Sequence, residues 1–151
     1  LVLRATIAIT ALLGNLLQPR LAALFGPGST AAATRFEELQ GRWALTLFAV
    51  VVVNWIGAAL AEEVVFRGIL MRSIEAVLGD GWVHRSVAVV AQAALFAAIH
   101  TYQGAAGALM AGSIGVVFGV AVHAARGSLW PAILVHAIPN TVTLLAAHGG
   151  A

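Results

Sequence analysis

The sequence predicts an all-α protein, a polytopic transmembrane helical bundle of about five spans, and three observations support this fold class. First, 61% of the 151 residues are hydrophobic and only 9% are charged, too few to cover a soluble fold of this size. Second, apolar runs long enough to cross a bilayer recur along the chain, separated by short polar or glycine-containing stretches. Third, a chain in lipid must satisfy its backbone groups internally, which favours helices.

A long polar connection separates the first two predicted spans. Residues 1–17 are apolar enough for one short span, and residues 19–42 predict a connection outside the membrane. The strongest span covers residues 43–61, and its apolar pattern continues over residues 64–78. A single helix over residues 43–78 would be about 54 Å long, against a hydrocarbon core of roughly 30 Å. Such a helix must tilt, bend or protrude.

Three further spans follow the long one, at residues 83–100, 105–125 and 131–147. In the middle one, Gly115 and Gly119 form a small-xxx-small pattern that lets a neighbouring helix approach closely. Ser128 is a suitable N-cap for the last span, and Pro131 suits its first turn. Together the spans predict one membrane-embedded domain over residues 1–151.

The charge pattern excludes one class of partner and favours another. Eight arginines are spread along the chain, with no lysine and no basic cluster, so no nucleic-acid partner is expected. The expected partner is the lipid bilayer, and the absence of cysteine excludes disulfides and thiolate chemistry. The alanine, glycine and arginine bias indicates a GC-rich bacterial genome, and hence an integral protein of the bacterial cytoplasmic membrane. Assigning successive loops to alternate sides leaves the orientation open, because it sets Arg4, Arg72, Arg85 and Arg126 against Arg20, Arg35 and Arg42.

The stretch Glu62-Glu63-x-x-x-Arg67 carries three charges directly after an uncharged span. Ionisable groups at membrane depth are costly, so they usually face a bundle interior or a watery cavity and mark function. Glu63 and Arg67 share one helical face at i,i+4, whereas Glu62 lies about 100° around the helix. An unpaired carboxylate in low dielectric binds a proton more readily than one in water. This greater basicity suits a general base, which must remove a proton from water. The alternative is a structural ion pair with a second carboxylate at a helix end.

Two later helices carry further polar side chains at helical spacing. His100 follows Phe96 by one turn at the end of its span, where a histidine by itself is more often a packed interfacial residue than a catalytic one. His136 and Asn140 lie one turn apart on the last span and form a donor pair suited to a developing oxyanion. Hydrogen bonding between helices is the alternative for this pair. Pro139 removes a backbone N–H between them and predicts a local kink or widening.

Taken together, the polar motifs of the three helices are Glu62-Glu63-x-x-x-Arg67, Phe96-x-x-x-His100 and His136-x-x-x-Asn140. In this order, on successive hydrophobic helices, they resemble the intramembrane CAAX prenyl endopeptidase and bacteriocin-processing family, also called the abortive-infection family. The flanking sequences at residues 66–68 and 127–134 are also similar to its bacterial members. The resemblance implies a protease-like core over residues 43–147, with an additional N-terminal span and loop over residues 1–42.

This resemblance implies an intramembrane endopeptidase that acts on a peptide or membrane-protein substrate. Glu62 would activate a water molecule, and His100 would position that water. His136 and Asn140 would stabilise the tetrahedral oxyanion. The resemblance also implies a supporting shell around these four side chains, made of Glu63, Arg67 and Phe96.

Two alternatives remain open from the sequence. No cofactor is expected, but a divalent metal such as zinc held by Glu62, His100 and His136 is a known ligand combination, although no H-E-x-x-H motif is present. The second alternative is a membrane immunity or scaffold protein, since the family also includes members of these kinds. In that case the polar cluster only ties helices together, and the substitution Glu62→Gln would be tolerated.

A simple bundle also predicts a conflict in depth between the two histidines. If every span starts at a membrane surface, His100 lies about 25 Å below one surface and His136 only about 10 Å below it. No single reacting group can meet both side chains at those depths. Either the helices tilt strongly, or one span boundary is wrong.

Overall fold

The computed structural model describes residues 1–26 and 36–150, and within these ranges it contains helices and turns but no strand. Five helices in this part of the chain are long and apolar enough to cross a membrane, which confirms the predicted fold class. They are α1 (Val2–Phe25), α2 (Trp43–Leu78), α3 (Trp82–Ile99), α4 (Gly104–Ala124) and α5 (Trp130–Gly149). Short 3₁₀ turns at Glu37–Leu39 and Thr101–Gln103 precede α2 and α4.

Helix α1 is longer than the predicted first span. It continues through Pro19 to Phe25, so the connection predicted to start at residue 19 begins too early. A proline removes one backbone hydrogen bond and strains the preceding turn, but the apolar residues that follow it continue the helix. Gly26, with φ 85°, follows the last turn. Most of the predicted turn cluster, at residues 27–30, and the polar segment beginning at Arg35 lie outside or at the edge of the described residues.

Helix α2 is one continuous element, and much of it has π-helical winding. The π-helical segments are Ala49–Glu62 and Val64–Leu70, and they include the charged stretch identified in the sequence. Hydrogen bonds of the i→i+5 type are rare, and where they occur they are frequently close to functional sites. The wider winding therefore coincides with the most polar part of the longest span.

The glycines of α4 allow α3 to pack closely against it. A Cβ atom on Gly119 would lie 3.0 Å from Gln92 Nε2, and one on Gly115 would lie 3.2 Å from Ala93. Gln92 is fully buried and donates a hydrogen bond to the Gly115 carbonyl at 2.9 Å. The small-xxx-small pattern of α4 is thus a contact surface, which is the use that its spacing favours.

Helix α5 begins beside Gly68, well before the end of α2, and this removes the predicted conflict in depth. Arg72 donates a hydrogen bond to the Gly127 carbonyl at 2.7 Å, and Leu129 lies 3.4 Å from the Cβ position of Gly68. Gly68 is about 15 Å before the end of α2, so the last helix starts about 15 Å lower than the simple bundle assumes. Adding the roughly 10 Å along α5 places His136 at the level of His100. The long helix α2 therefore protrudes beyond the start of α5.

The start of α5 also differs from the sequence prediction in its cap. The helix begins at Trp130 with Leu129 as N-cap and without a side-chain capping bond, so Ser128 is not the cap. Pro131 occupies the first turn as predicted. Pro139 lies inside α5 and does not interrupt it.

Candidate active site

Four side chains from three separate helices line one cavity of about 710 Å³ inside the bundle. These are the four candidates chosen from the sequence, Glu62, His100, His136 and Asn140. The long helix, the end of α3 and the middle of α5 therefore meet at one level. The cavity wall also includes residues of α1 and α4.

Behind the cavity wall, Glu63 and Arg67 form a fully buried ion pair. Arg67 Nη1 lies 3.1 Å from Glu63 Oε1, and both side chains are 0% exposed. The same carboxylate oxygen lies 3.0 Å from His136 Nδ1. Because a carboxylate paired with arginine can only accept, His136 Nδ1–H is the donor in this contact. Glu63 thus joins α2 to α5 and fixes the direction of the His136 ring, a contact that the sequence spacing did not reveal.

Glu62 faces the cavity and has a different environment from its neighbour. Its side chain is 27% exposed, and its Oε2 lies 4.0 Å from His136 Nε2, too far for a hydrogen bond. Within residues 1–26 and 36–150, this buried oxygen has no hydrogen-bond partner. Glu62 therefore presents an acceptor with unused capacity next to an imidazole nitrogen.

His100 ends α3 and is held by the preceding turn. Its Nδ1 lies 2.8 Å from the Phe96 carbonyl oxygen, which can only accept, so Nδ1–H donates. In the neutral ring this leaves a lone pair on Nε2. The His100 side chain is nearly buried at 9% exposure, and its ring lies against the Phe96 ring with centroids 4.4 Å apart.

Phe96 connects the ion pair to this histidine. The guanidinium carbon of Arg67 lies 4.4 Å from the centroid of the Phe96 ring, within the range of a cation–π interaction. Phe66 contacts the same ring edge-on with centroids 5.1 Å apart. One aromatic side chain therefore packs against both the buried cation and the cavity-lining His100.

Asn140 and Asn54 occupy different environments around α5. Asn140 is exposed, lines the cavity one turn after His136, and makes no hydrogen bond with the described residues. Asn54 is buried and donates to the Ala137 carbonyl and to Thr141 Oγ1, each at 3.0 Å. Asn54 thereby ties the middle of α2 to the turn of α5 that carries the candidate donors. The only sequence signal for this role was a single amide in an apolar span.

Helix α1 also contributes to the cavity, although it precedes the predicted core. Thr10 and Gln18, two turns apart, line the wall. Thr10 Oγ1 is buried and has no hydrogen-bond partner within the described part of the chain. The N-terminal span is therefore part of the cavity wall.

The remaining histidines lie at helix ends, away from this cavity. His84 contacts the carbonyls of Gly79 and Asp80, and His123 pairs with Glu75. At the far end of α5, His148 lies 3.2 Å from Thr46 Oγ1 and packs against the Trp43 ring. Their contacts are those of capping and packing residues.

The proposed metal ligands do not form a metal-binding group in this structure. Within residues 1–26 and 36–150, no three His, Cys, Asp or Glu side chains are arranged to hold a metal ion. The use of zinc stays a prediction, and no chemical step below depends on it.

An all-α bundle with polar side chains around a cavity inside five spans defines an intramembrane site. Residues 42–142 match the family described as Type II CAAX prenyl endopeptidase Rce1-like. Since the match covers more than half of the 151 residues, the chain belongs to this family of membrane proteases. The matched range includes every candidate site residue, and the match confirms the resemblance seen in the motifs. No curated protein and no solved structure matches the chain.

Proposed function

We propose that the protein is an intramembrane endopeptidase that hydrolyses peptide bonds of membrane-associated substrates with a water molecule activated by Glu62. One observation carries the proposal: Glu62, His100, His136 and Asn140 line one cavity, although they come from three helices. A general base must lie within hydrogen-bond reach of the proton that it removes, directly or through one water. The Glu62 side chain is 27% exposed and lines this cavity, which supports its role as the base for a water molecule bound there.

In the first step, the Glu62 carboxylate removes a proton from water while the water oxygen attacks the peptide carbonyl carbon. His100 accepts the second O–H of this water at Nε2, because its Nδ1 proton is already donated to the Phe96 carbonyl. Holding the water between two acceptors directs an oxygen lone pair at the substrate. Orientation of this kind lowers the barrier by removing the need to order the reactants during the reaction.

The attack produces a tetrahedral oxyanion, which needs preorganised hydrogen-bond donors. Asn140 Nδ2 is one such donor. His136 donates through Nε2 when the ring carries both protons, since Nδ1–H is already directed at Glu63. In the second step, the proton on Glu62 passes to the leaving amine nitrogen, the C–N bond breaks, and a carboxylic acid and an amine are released.

The substrate is expected to be an extended peptide segment at the membrane, such as a leader peptide or the terminus of a membrane protein. A cavity of about 710 Å³ holds a few residues of such a chain. Its wall combines apolar side chains with hydroxyl and amide groups, including those of Thr10 and Gln18. These groups can pair with the backbone of an extended peptide. The location in a bacterial cytoplasmic membrane is a further part of this proposal.

The decisive experiment is peptide cleavage by purified protein in lipid nanodiscs. A library of peptides tethered to the bilayer is incubated with each variant, and products are read by mass spectrometry. Glu62→Gln should lower the rate by at least about 100-fold, the lower limit for a positioned general base, and His100→Ala should also abolish cleavage. The matched control is Glu38→Gln, which removes an exposed carboxylate that does not line the cavity and should cleave normally.

Thermal unfolding of each variant must accompany this assay, so that a loss of activity is not a loss of fold. Normal turnover by both Glu62→Ala and His100→Ala would refute the proposal. If Glu62→Gln retains the biological function, a non-catalytic scaffold or immunity role is the better description. If cleavage depends on a metal, exhaustive chelation will abolish it and metal analysis of active protein will find the ion.

A further inference from the structure

A second cavity, of about 380 Å³, lies at the end of the bundle where α2 and α4 end and α3 begins. It is separate from the candidate active site and shares none of its lining residues. Its polar lining consists of three arginines, a glutamate, a histidine and a turn glycine, namely Arg72, Arg85, Arg126, Glu75, His123 and Gly127. We call it the arginine cavity.

The arginine cavity carries an excess of positive charge. Glu75 is the one carboxylate in its lining, and Glu75 Oε1 already lies 2.8 Å from His123 Nε2. Arg72 is oriented by the hydrogen bond to the Gly127 carbonyl at 2.7 Å, which uses one of its five N–H groups. Arg85 and Arg126 form no ion pair with any carboxylate in residues 1–26 and 36–150. Three exposed guanidinium groups therefore surround one space that has no matching anion among the described residues.

The backbone conformation at Arg126 is one in which a side chain is unusual. Arg126 has φ 55° and is the single non-glycine residue with positive φ in the described ranges. Its N–H bonds to the His123 carbonyl, and the Gly127 N–H bonds to the Val122 carbonyl at 2.8 Å, which together form a Schellman motif. Glycine is the usual residue at the left-handed position of this motif, because a Cβ atom is unfavourable there. An arginine in that position contributes a guanidinium to the cavity at a conformational cost.

An aromatic residue close to the arginine cavity in the chain indicates the depth of the cavity in the membrane. Trp130 begins α5 three residues after Gly127, and it is 63% exposed. Exposed tryptophans at the ends of spans are typical of the headgroup region. Phospholipid phosphates lie at that level, and basic pockets between transmembrane helices bind anionic headgroups. Guanidinium groups suit phosphate because they donate parallel hydrogen bonds to two of its oxygens.

From these observations, we propose that the arginine cavity binds the phosphate of an anionic phospholipid headgroup, with Arg85 and Arg126 as the principal donors and Arg72 as a fixed third. The acyl chains would extend along the apolar surface of the neighbouring helices. Free phosphate offers the same chemistry to the site, but the lipid is supplied at the depth at which the cavity lies.

The test uses the full chain and measures lipid binding directly. Purified protein in detergent is titrated with phosphatidylglycerol, phosphatidylcholine or inorganic phosphate, and retained lipid is counted by native mass spectrometry alongside the melting temperature. The wild type should bind phosphatidylglycerol at least fivefold more tightly than phosphatidylcholine and gain thermal stability from it. Inorganic phosphate at millimolar concentration should not reproduce this gain.

Arg126→Gly is the most informative variant, because it relieves the unfavourable backbone conformation. It should melt at the wild-type temperature or above, yet lose at least fivefold in affinity for phosphatidylglycerol. Arg85→Gln should lose a similar factor. Arg42→Gln is the matched control, since it removes an exposed arginine at the other end of α2 and should bind lipid as the wild type does.

Three outcomes would overturn the proposal. They are unchanged lipid binding by both Arg85→Gln and Arg126→Gly, equal affinity for the two lipids, and an equal thermal gain from inorganic phosphate. The last outcome would assign the cavity to a soluble anion. The test does not depend on proteolysis, because Glu62→Gln should bind lipid like the wild type whatever its effect on cleavage.

Discussion

The two neighbouring carboxylates of α2 lie in environments with opposite properties. Glu63 is fully buried, and its Oε1 contacts both Arg67 and His136, so this oxygen is already committed to the fold. Glu62 is partly exposed at the cavity wall, and its buried oxygen has no partner in the described part of the chain. The comparison teaches that one carboxylate holds the helices together so that the other can remain available for proton transfer. Four predictions test this division, and they are ordered by expected effect.

The largest effect is expected from removing the paired carboxylate. Glu63→Leu leaves the buried Arg67 guanidinium without its carboxylate and should lower the free energy of unfolding by about 3–5 kcal/mol. Glu62→Leu should be neutral or stabilising, because it replaces an uncompensated buried oxygen with an apolar group. Denaturation of both variants in mixed micelles measures the difference. Partial recovery in the double variant Glu63→Leu, Arg67→Met would assign the loss to the unpaired cation, and equal destabilisation by the two single variants would contradict the division.

The second prediction concerns Asn140 at the cavity wall, and it separates an effect on catalysis from an effect on folding. Asn140→Ala should reduce kcat by about 10²–10³-fold, or about 2.7–4 kcal/mol, which is the range for losing one oxyanion donor. The melting temperature should hardly change, since Asn140 is exposed and makes no hydrogen bond with the described residues. An activity like that of the wild type would remove Asn140 from the proposed oxyanion hole. Peptide cleavage in nanodiscs is the measurement.

The third prediction tests the contact between the Phe96 ring and the Arg67 guanidinium, which connects the buried ion pair to the cavity-lining His100. Phe96→Leu removes the ring that lies 4.4 Å from the Arg67 guanidinium, and a desolvated cation–π contact is worth about 2 kcal/mol. The matched variant is Phe66→Leu, because that ring lies 5.9 Å from the same cation and should contribute less. Chemical denaturation of both gives the comparison. A larger loss in Phe66→Leu than in Phe96→Leu would show that general packing, and not the cation, sets the stability.

The smallest effect is expected at the tie between α2 and α5. Thr141→Val removes the hydroxyl that accepts hydrogen bonds from Asn54 and from Trp55, and it should cost about 0.6 kcal/mol for each bond, the average for hydrogen bonds between membrane helices. Its kcat should fall only a few-fold, because the remaining Asn54 bond to the Ala137 carbonyl still positions the helix. A loss of kcat as large as that of Asn140→Ala would place Thr141 in the catalytic machinery.

The sequence predicted the membrane spans well, but it predicted poorly how the helices pack and at what relative depth. Hydropathy identified all five long helices because the free energy of transferring side chains into lipid depends on local composition alone. Two boundaries were wrong: α1 continues past Pro19, and Ser128 does not cap α5. Both errors come from giving a single residue type more weight than the packing around it.

For the site, local spacing was informative only within a helix. The i,i+4 rule correctly paired Glu63 with Arg67 at 3.1 Å. It carried no information on the contact between Glu63 and His136, which joins two helices at 3.0 Å. It also missed that α1, outside the predicted core, contributes Thr10 and Gln18 to the cavity.

What the sequence determined by itself was the membrane class, the family motifs and the pairing of Glu63 with Arg67, since each follows from composition or from the geometry of one helix. Only the tertiary structure decided that Glu62 faces the cavity and that His100 and His136 share one level. The physical reason is the low start of α5, where Leu129 packs at Gly68 and Arg72 holds Gly127. Depth in a bundle depends on which turns of different helices pack together, and no local pattern encodes that choice.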